Sequence, residues 1–142
     1  MTQMSLEPYA VEFKISLSET QPIAWWEQLL IELLDGLGSV FSSEKGYLIG
    51  HIKAIAILPE KGLMWGSKIS DKYKAKVNWK CKPQVNCSEL LLTLNVLVYN
   101  VSLKELKCLI NDLINCLEKT YAVKVKIITC KPDQAKTNLQ VN

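Results

Sequence analysis

Arginine is absent from this 142-residue chain, in which all seventeen basic side chains are lysine. The bidentate hydrogen bonds that a guanidinium group makes to guanine, phosphate or carboxylate are therefore excluded. The formal net charge is only +3, which argues against a uniformly basic, histone-like coat protein. Apolar residues make up 49% of the chain and charged residues 22%. This composition predicts a packed globular core and excludes a disordered chain.

Signals for export and for membrane insertion are also lacking. Residues 1–8 contain an acid and show neither the basic nor the apolar region of a signal peptide. The most apolar segment, residues 23–34, is short and carries Glu27 and Glu32, whereas a bilayer-spanning helix needs about 20 apolar residues. The predicted location is therefore the cytoplasm, and no membrane partner is expected.

The residues that most often carry catalysis or bind metals are few and scattered. The five cysteines, at positions 81, 87, 108, 116 and 130, form no C-x-x-C pair or metal-type spacing, so reduced structural thiols are expected. His51 is the only histidine, and no nucleophile motif accompanies it. No catalytic residue, metal or cofactor is predicted. One alternative remains, a small enzyme with His51 in a sheet-face pocket beside Lys53, Thr93 and Asn95.

The periodicity of apolar residues predicts six strands and two helices. The strands fall at residues 9–17, 46–58, 63–69, 73–81, 89–101 and 121–130. The first helix is predicted from Ile23 to about Asp35, with Thr20 as its N-cap and the Gly36-Leu37-Gly38 segment ending it. A capping box formed by Ser102 and Glu105 opens the second helix. Residues 46–58 are apolar on both faces except at His51 and Lys53, which indicates a central strand.

This order of elements predicts an α+β fold. Strand–helix–strand, a hairpin, then strand–helix–strand is the order of a ferredoxin-like (split βαβ) two-layer sandwich with one or two extra strands. Both helices are expected on one sheet face, which leaves the other face open. Residues 9–130 are predicted to form a single domain, with residues 1–8 as an N-terminal extension and residues 131–142 as a flexible polar tail.

Lysine is concentrated on alternate positions of one predicted strand. In residues 72–82 the even positions carry five lysines and Asn78, and the odd positions, Tyr73 and Trp79 among them, are expected to face the core. The same alternation extends the pattern to other strands. The predicted lysine face comprises Lys14, Lys53, Lys72, Lys74, Lys76, Lys80, Lys82, Lys124 and Lys126, with His51 on the same side. These nine lysines against Glu12 and Glu89 give it a charge of about +7.

Such a surface would attract polyanions, and the attraction would fade as salt rises. The predicted function is a non-enzymatic binding or assembly module that presents the lysine face to an anionic partner, either a nucleic acid or an acidic protein surface. Stacking of bases needs exposed aromatic rings, and only Tyr47 and Tyr99 are expected beside the lysines. A second interpretation is that the lysines simply solvate the sheet and discourage edge-to-edge pairing.

The first helix carries more apolar surface than one sheet contact needs. Its apolar side chains cover roughly half of the circumference, whereas packing on a sheet requires a stripe of about 100°. Trp25, Trp26 and Ile31 are therefore candidate interface residues, since tryptophan is favoured at interfaces. The alternative function is a structural subunit of a homo- or hetero-oligomeric complex assembled through this helix. The simpler interpretation is that neighbouring segments of the chain cover it.

Overall fold

A computed structural model describes residues 8–59, 62–82 and 85–132 of the chain. Its elements in chain order are β1 (Tyr9–Pro22), α1 (Ile23–Val40), a 3₁₀ turn (Ser43–Lys45), β2 (Leu48–Ile57), β3 (Leu63–Lys68), β4 (Lys76–Lys80), β5 (Asn86–Tyr99), α2 (Leu103–Tyr121) and β6 (Lys124–Pro132). The bulk of the predicted N-terminal extension and polar tail, residues 1–7 and 133–142, lies outside the described residues.

The six strands form one antiparallel sheet in the order β4-β3-β2-β5-β1-β6. The prediction of a mixed α+β fold with two helices is confirmed. The six-strand order differs from the four-strand order of a ferredoxin-like sandwich. Strand β2 lies inside the sheet, between β3 and β5, as its apolar sequence predicted, and the predicted short strand after residue 62 pairs with it as β3.

One face of the sheet is covered and holds the core. Alternate residues of β1, β2 and β5 are buried in a single cluster together with residues of both helices. Strand β5 shows the period most clearly, since Leu92, Leu94 and Val96 are at most 2% exposed while their neighbours in sequence are more exposed. The core accommodates α1 closely at Gly66 of β3, where an added Cβ would lie 2.8 Å from Leu34 Cδ1.

Helix α1 does not end at Gly36 as predicted but continues to Val40. Leu37 is fully buried, so ending the helix earlier would remove an apolar side chain from the core. The two glycines instead allow close packing. A Cβ at Gly36 would lie 2.9 Å from Leu113 of α2, and one at Gly38 would collide with the side chain of Lys68.

Of the two predicted helix N-caps, one is wrong and the other is confirmed. Thr20 is not the N-cap of α1, because β1 runs on to Pro22 and the helix begins directly after it without a side-chain cap. The capping box of α2 is confirmed, since Ser102 Oγ accepts a hydrogen bond of 3.1 Å from the Glu105 N–H.

Candidate binding site on the open face of the sheet

The open face can be read row by row from the strand register, because residues paired across strands lie on the same face. One row runs Lys80, Leu63, Ile57, Leu91, Lys14 and Lys126 from β4 to β6. The next row runs Asn78, Trp65, Ile55, Thr93 and Glu12 from β4 to β1. The centre of both rows is apolar, and the first row has lysine at both ends.

Five side chains on β3, β2 and β5 form what we call the apolar strip. They are Ile55, Ile57, Leu63, Trp65 and Leu91, and each is between 37% and 53% exposed. Paired side chains on neighbouring strands have Cβ atoms about 5 Å apart, so the five form one contiguous patch. A contiguous exposed apolar patch with a polar border is characteristic of an interaction site.

Six lysines surround this strip and are called the flanking lysines. They are Lys14, Lys53, Lys76, Lys80, Lys124 and Lys126, and all six are exposed. Lys80 borders the strip on β4, and Lys76 and Lys53 lie one row below it on β4 and β2. Glu12 and Glu89 share the face, so among the side chains that the structure describes six lysines against two glutamates leave a formal charge of +4. The lysine face is therefore less charged than the predicted +7.

The reduction arises because the strand is shorter than the one predicted at residues 73–81. Only Lys76–Lys80 pairs with β3, and residues 71–75 form a turn and loop. Lys72, Lys74 and Lys82 are exposed but belong to no strand, so nothing aligns them with the flanking lysines. The prediction that Tyr73 faces the core is wrong, since it is 69% exposed. Trp79 does pair with buried Met64, yet it remains 40% exposed at the sheet edge.

The far end of the open face contains His51 and Tyr99. His51 pairs with Leu97 next to an irregularity at Gly50, and it is half-buried. Lys53 pairs with Asn95, so these polar residues share the face as predicted. The Tyr99 ring also lies here, within 3.3 Å of where a Cβ at Gly50 would be. Tyr47 does not, because its hydroxyl donates a hydrogen bond to Glu105 of α2.

A shallow groove of about 360 Å³ continues the apolar strip past the end of β2. Its lining includes Ile57, Pro59 and Leu91, together with Lys14 and Glu89. Lys14 Nζ lies 2.9 Å from Glu89 Oε2, and both side chains are about half exposed, so this ion pair contributes at most about 1 kcal/mol. The groove is thus an apolar depression with one charged wall, open to a side chain from outside.

A buried ion pair on the opposite face escaped the sequence reasoning. Lys68 of β3 pairs with the fully buried Ile52 and is itself only 5% exposed. Its ammonium lies 2.7 Å from Asp35 Oδ1 of α1 and donates to the Tyr73 carbonyl oxygen. The Ala75 N–H donates to the same Asp35 oxygen at 2.8 Å. This arrangement, called the Lys68 clasp, fastens the β3–β4 loop to α1.

Electrostatics favour the ionised form of Asp35 within the clasp. Burial opposes its ionisation, but hydrogen bonds from Lys68 and the Ala75 N–H, together with the charges of Lys68 and Lys74, outweigh that effect. The pKa of Asp35 is therefore lowered from its ordinary value. A second acid, Asp71, anchors the same loop by accepting hydrogen bonds from the Ser43 N–H and hydroxyl at 3.0 and 3.2 Å. These contacts make the clasp a structural feature.

The candidate interface residues of α1 do not form one exposed surface. Trp26 is fully buried, and its indole N–H donates to the Cys87 carbonyl oxygen at 3.0 Å, so assigning it to an interface was wrong. Trp25 is half-buried and packs edge-on against Trp26 and Tyr121, with ring centroids 5.0 and 5.5 Å apart. Ile31 is half-buried and remains a candidate. Tyr121 of α2 thus covers part of Trp25, one of the three candidate interface residues.

The described cysteines are unpaired and do not contribute to a metal site. Cys81, Cys87, Cys108 and Cys116 carry free thiols, and burial raises the pKa of Cys87 and of Cys81. Across the described residues, no group of three or more His, Cys, Asp or Glu side chains is placed to hold a metal ion. Neither of the two described helices combines the length and the apolar character needed to cross a membrane.

Comparisons with protein-family models, with curated proteins and with solved structures find no match to this chain. The open face therefore has to be interpreted from its own chemistry. The sequence did contain a signal for the apolar strip. Ile55 and Ile57 make β2 apolar on both faces, which predicted a central strand, and the structure leaves these two side chains exposed on the open face.

Proposed function

We propose that this protein is a non-enzymatic binding module whose open sheet face binds an acidic protein surface. The observation that carries the proposal is the apolar strip, in which the row of Leu63, Ile57 and Leu91 has a lysine at each end. Protein interfaces commonly have an apolar centre and a polar rim. Fully burying an exposed apolar side chain contributes about 1.5–3 kcal/mol. The five residues of the strip are each between 37% and 53% exposed, so covering all five would supply much of the affinity.

The flanking lysines determine the sign of the partner's charge. Among the described residues, Lys14 is the one flanking lysine in an ion pair. The other five present uncompensated charges around the strip, which would repel a basic surface and attract an acidic one. Exposed charges at a rim mainly affect association rate and salt dependence. The partner is therefore expected to carry apolar residues surrounded by Asp or Glu.

A single-stranded nucleic acid is the second candidate, and the exposed ring of Trp65 favours it. Trp65 lies on the open face and supplies a stacking surface that the sequence reasoning did not place there. Non-specific single-strand binding generally combines a basic groove with several stacked aromatic rings. Trp65 is one ring in a strip that is otherwise aliphatic, which is why an acidic protein surface is the preferred partner.

The proposal is tested with two fluorescent probes, a random copolymer of glutamate and tyrosine and an oligothymidylate of similar length. Fluorescence polarisation at low and high salt measures the affinity of each probe. The test variant is Lys80→Glu/Lys126→Glu on the open face. Its matched control is Lys104→Glu/Lys119→Glu on α2, where both lysines are exposed and the change in net charge is identical.

We expect the copolymer to bind the native protein, the open-face variant to weaken binding at least about tenfold, and the control about twofold or less. Equal losses in the two variants would show that only net charge matters and would overturn the proposal. Preferential binding of oligothymidylate would also overturn it, in favour of the nucleic-acid candidate.

We also propose that the chain is a split βαβ sandwich extended by two strands. Helix α1 joins β1 to β2 with β5 between them, and α2 joins β5 to β6 with β1 between them, which is the split arrangement. Strands β3 and β4 continue the sheet beyond β2. Interstrand NOEs that link β5 to both β1 and β2 are expected, and their absence would contradict this topology.

A further inference from the structure

The size of the apolar strip narrows the class of partner. Neighbouring strands lie about 4.8 Å apart, so Leu63 on β3 and Leu91 on β5 are separated by about 10 Å across the sheet. Alternate residues of one strand are about 7 Å apart, which is the distance between the two apolar rows. The strip is thus a compact patch, about 10 Å across the strands and about 7 Å along them, so one α-helix of 10–12 Å diameter, side chains included, would cover both rows.

The lysines at the two ends of the apolar row set the length of helix that would fit the open face. The row that contains Leu63, Ile57 and Leu91 has Lys80 at one end and Lys14 at the other. These two lysines are four strand spacings, or about 19 Å, apart. A helix rises 1.5 Å per residue, so apolar side chains at positions i, i+3 or i+4, and i+7 would span the three apolar strands. Acids about one turn beyond at each end would reach the lysines.

We propose that the open face is a docking surface for an acidic amphipathic α-helix of a partner protein, lying across β3, β2 and β5. This inference rests on the proposed function and deepens it by naming the secondary structure and residue pattern of the partner. A helix is the element that ordinarily covers a sheet face, and α1 and α2 already cover the opposite one. The groove beside Ile57 and Leu91 would receive an apolar side chain at one end of the docked helix.

A second copy of this chain is a poorer occupant. Face-to-face pairing would place two lysine-bordered faces, each of formal charge +4, against one another. Like charges juxtaposed at an interface cost several kcal/mol. An acidic helix would make the same apolar contacts and would pair its acids with Lys80, Lys14 and Lys126. It therefore fits the open face better than a second copy of the chain.

The test uses three peptides of about 14 residues and identical composition, containing Leu, Glu and Ala. The first is a hydrocarbon-stapled helix with its leucines on one face and its glutamates on the other. The second is stapled with the leucines dispersed around the helix, and the third alternates leucine and glutamate so that it is amphipathic when extended. Binding to the full chain is measured by fluorescence polarisation, with the glutamate–tyrosine copolymer as reference.

Two single variants locate the contact. Ile57→Ser removes an apolar side chain from the strip, and Leu48→Ser is the matched control, because Leu48 is 44% exposed on the same strand but lies outside the strip. We expect the first peptide to bind at least about tenfold more tightly than the other two. Ile57→Ser should weaken binding of the first peptide about tenfold, and Leu48→Ser should weaken it about twofold or less. Circular dichroism checks that both variants fold.

The outcomes separate the two proposals. If the dispersed or extended peptide binds as tightly as the first, or if only the copolymer binds, the helix inference is overturned and the proposed function stands. If neither peptides nor copolymer bind, both fail. Stronger self-association than peptide binding, measured by sedimentation, would instead assign the face to a second copy and overturn the inference.

Discussion

The two faces of the sheet carry apolar residues of similar kind but in opposite circumstances. On the covered face, Leu92 and Leu94 of β5 are buried beneath the helices, whereas Leu91 on the open face is 37% exposed. Charge is distributed in the opposite way, because among the described side chains the covered face buries one lysine, held by Asp35 and the Tyr73 carbonyl oxygen, whereas the open face exposes six. Covered apolar residues stabilise the fold, whereas the exposed apolar residues, bordered by lysines, form the surface that we propose binds a partner.

The largest expected effect comes from the same substitution on the two faces of β5. Leu94→Ala removes a fully buried side chain and should lower the free energy of unfolding by about 3–4 kcal/mol. Leu91→Ala, the matched control on the open face, should cost about 1 kcal/mol or less, because much of its side chain already contacts water. Urea denaturation measures both. Similar losses would mean that the open face is packed in solution, which contradicts the comparison.

The next effect concerns the one buried charge of the covered face. Asp35→Ala leaves the Lys68 ammonium without its carboxylate, and we expect a loss of about 2–3 kcal/mol, below the range for fully buried pairs since Asp35 is about one third exposed. Asp112→Ala, which removes an exposed acid from α2, should stay within about 0.5 kcal/mol. Comparable results for the two variants would show that the clasp contributes no more than a surface acid.

The clasp also predicts a dependence on pH. Because the folded-state pKa of Asp35 lies below its ordinary value of 3.8, the stabilisation is fully present above pH 4 and is lost as the pH falls through the lower folded-state value. The difference in unfolding free energy between the native protein and Asp35→Asn should therefore shrink in acid. Urea denaturation at neutral and acidic pH measures it, and a constant difference would contradict the assignment.

The smallest effect tests whether the open face sacrifices stability for binding. Lys14 and Lys126 are paired directly across β1 and β6, and like charges in that position are destabilising. Replacing Lys126 with Gln and then with Glu should raise the free energy of unfolding stepwise, by about 0.5 kcal/mol in total. The same series should weaken binding of the glutamate–tyrosine copolymer. If the series lowers the free energy of unfolding, the Lys14–Lys126 pair does not destabilise the fold, and the open face does not sacrifice stability for binding.

The fold was largely predictable where the pattern is local. The alternation in β1 and β5, the capping box of α2 and the inner position of β2 depend on residues close in sequence. The end of α1 was not predictable, because Gly38 is accommodated by a tertiary contact with Lys68 from another element. A glycine pair at the end of an apolar helix pattern otherwise indicates a C-cap.

The candidate site was predictable only in part. The face of Lys53, Lys76 and Lys80 followed from strand alternation, but the role of Trp65 depended on the register between β2 and β3. Lys72 and Lys74 were misplaced because the alternation of lysine in the sequence begins four residues before the strand does. The loop that contains them is instead fixed by Lys68 and Asp71, whose partners are distant in sequence.

The most direct test of the central claim, that the open face is the binding surface, is an NMR titration of the isotope-labelled protein with the facially amphipathic acidic peptide. We expect shift changes to concentrate in the apolar strip and at the flanking lysines, while the exposed residues of α1 and α2 change little. Shift changes centred on the helices, or spread evenly over both faces, would contradict it.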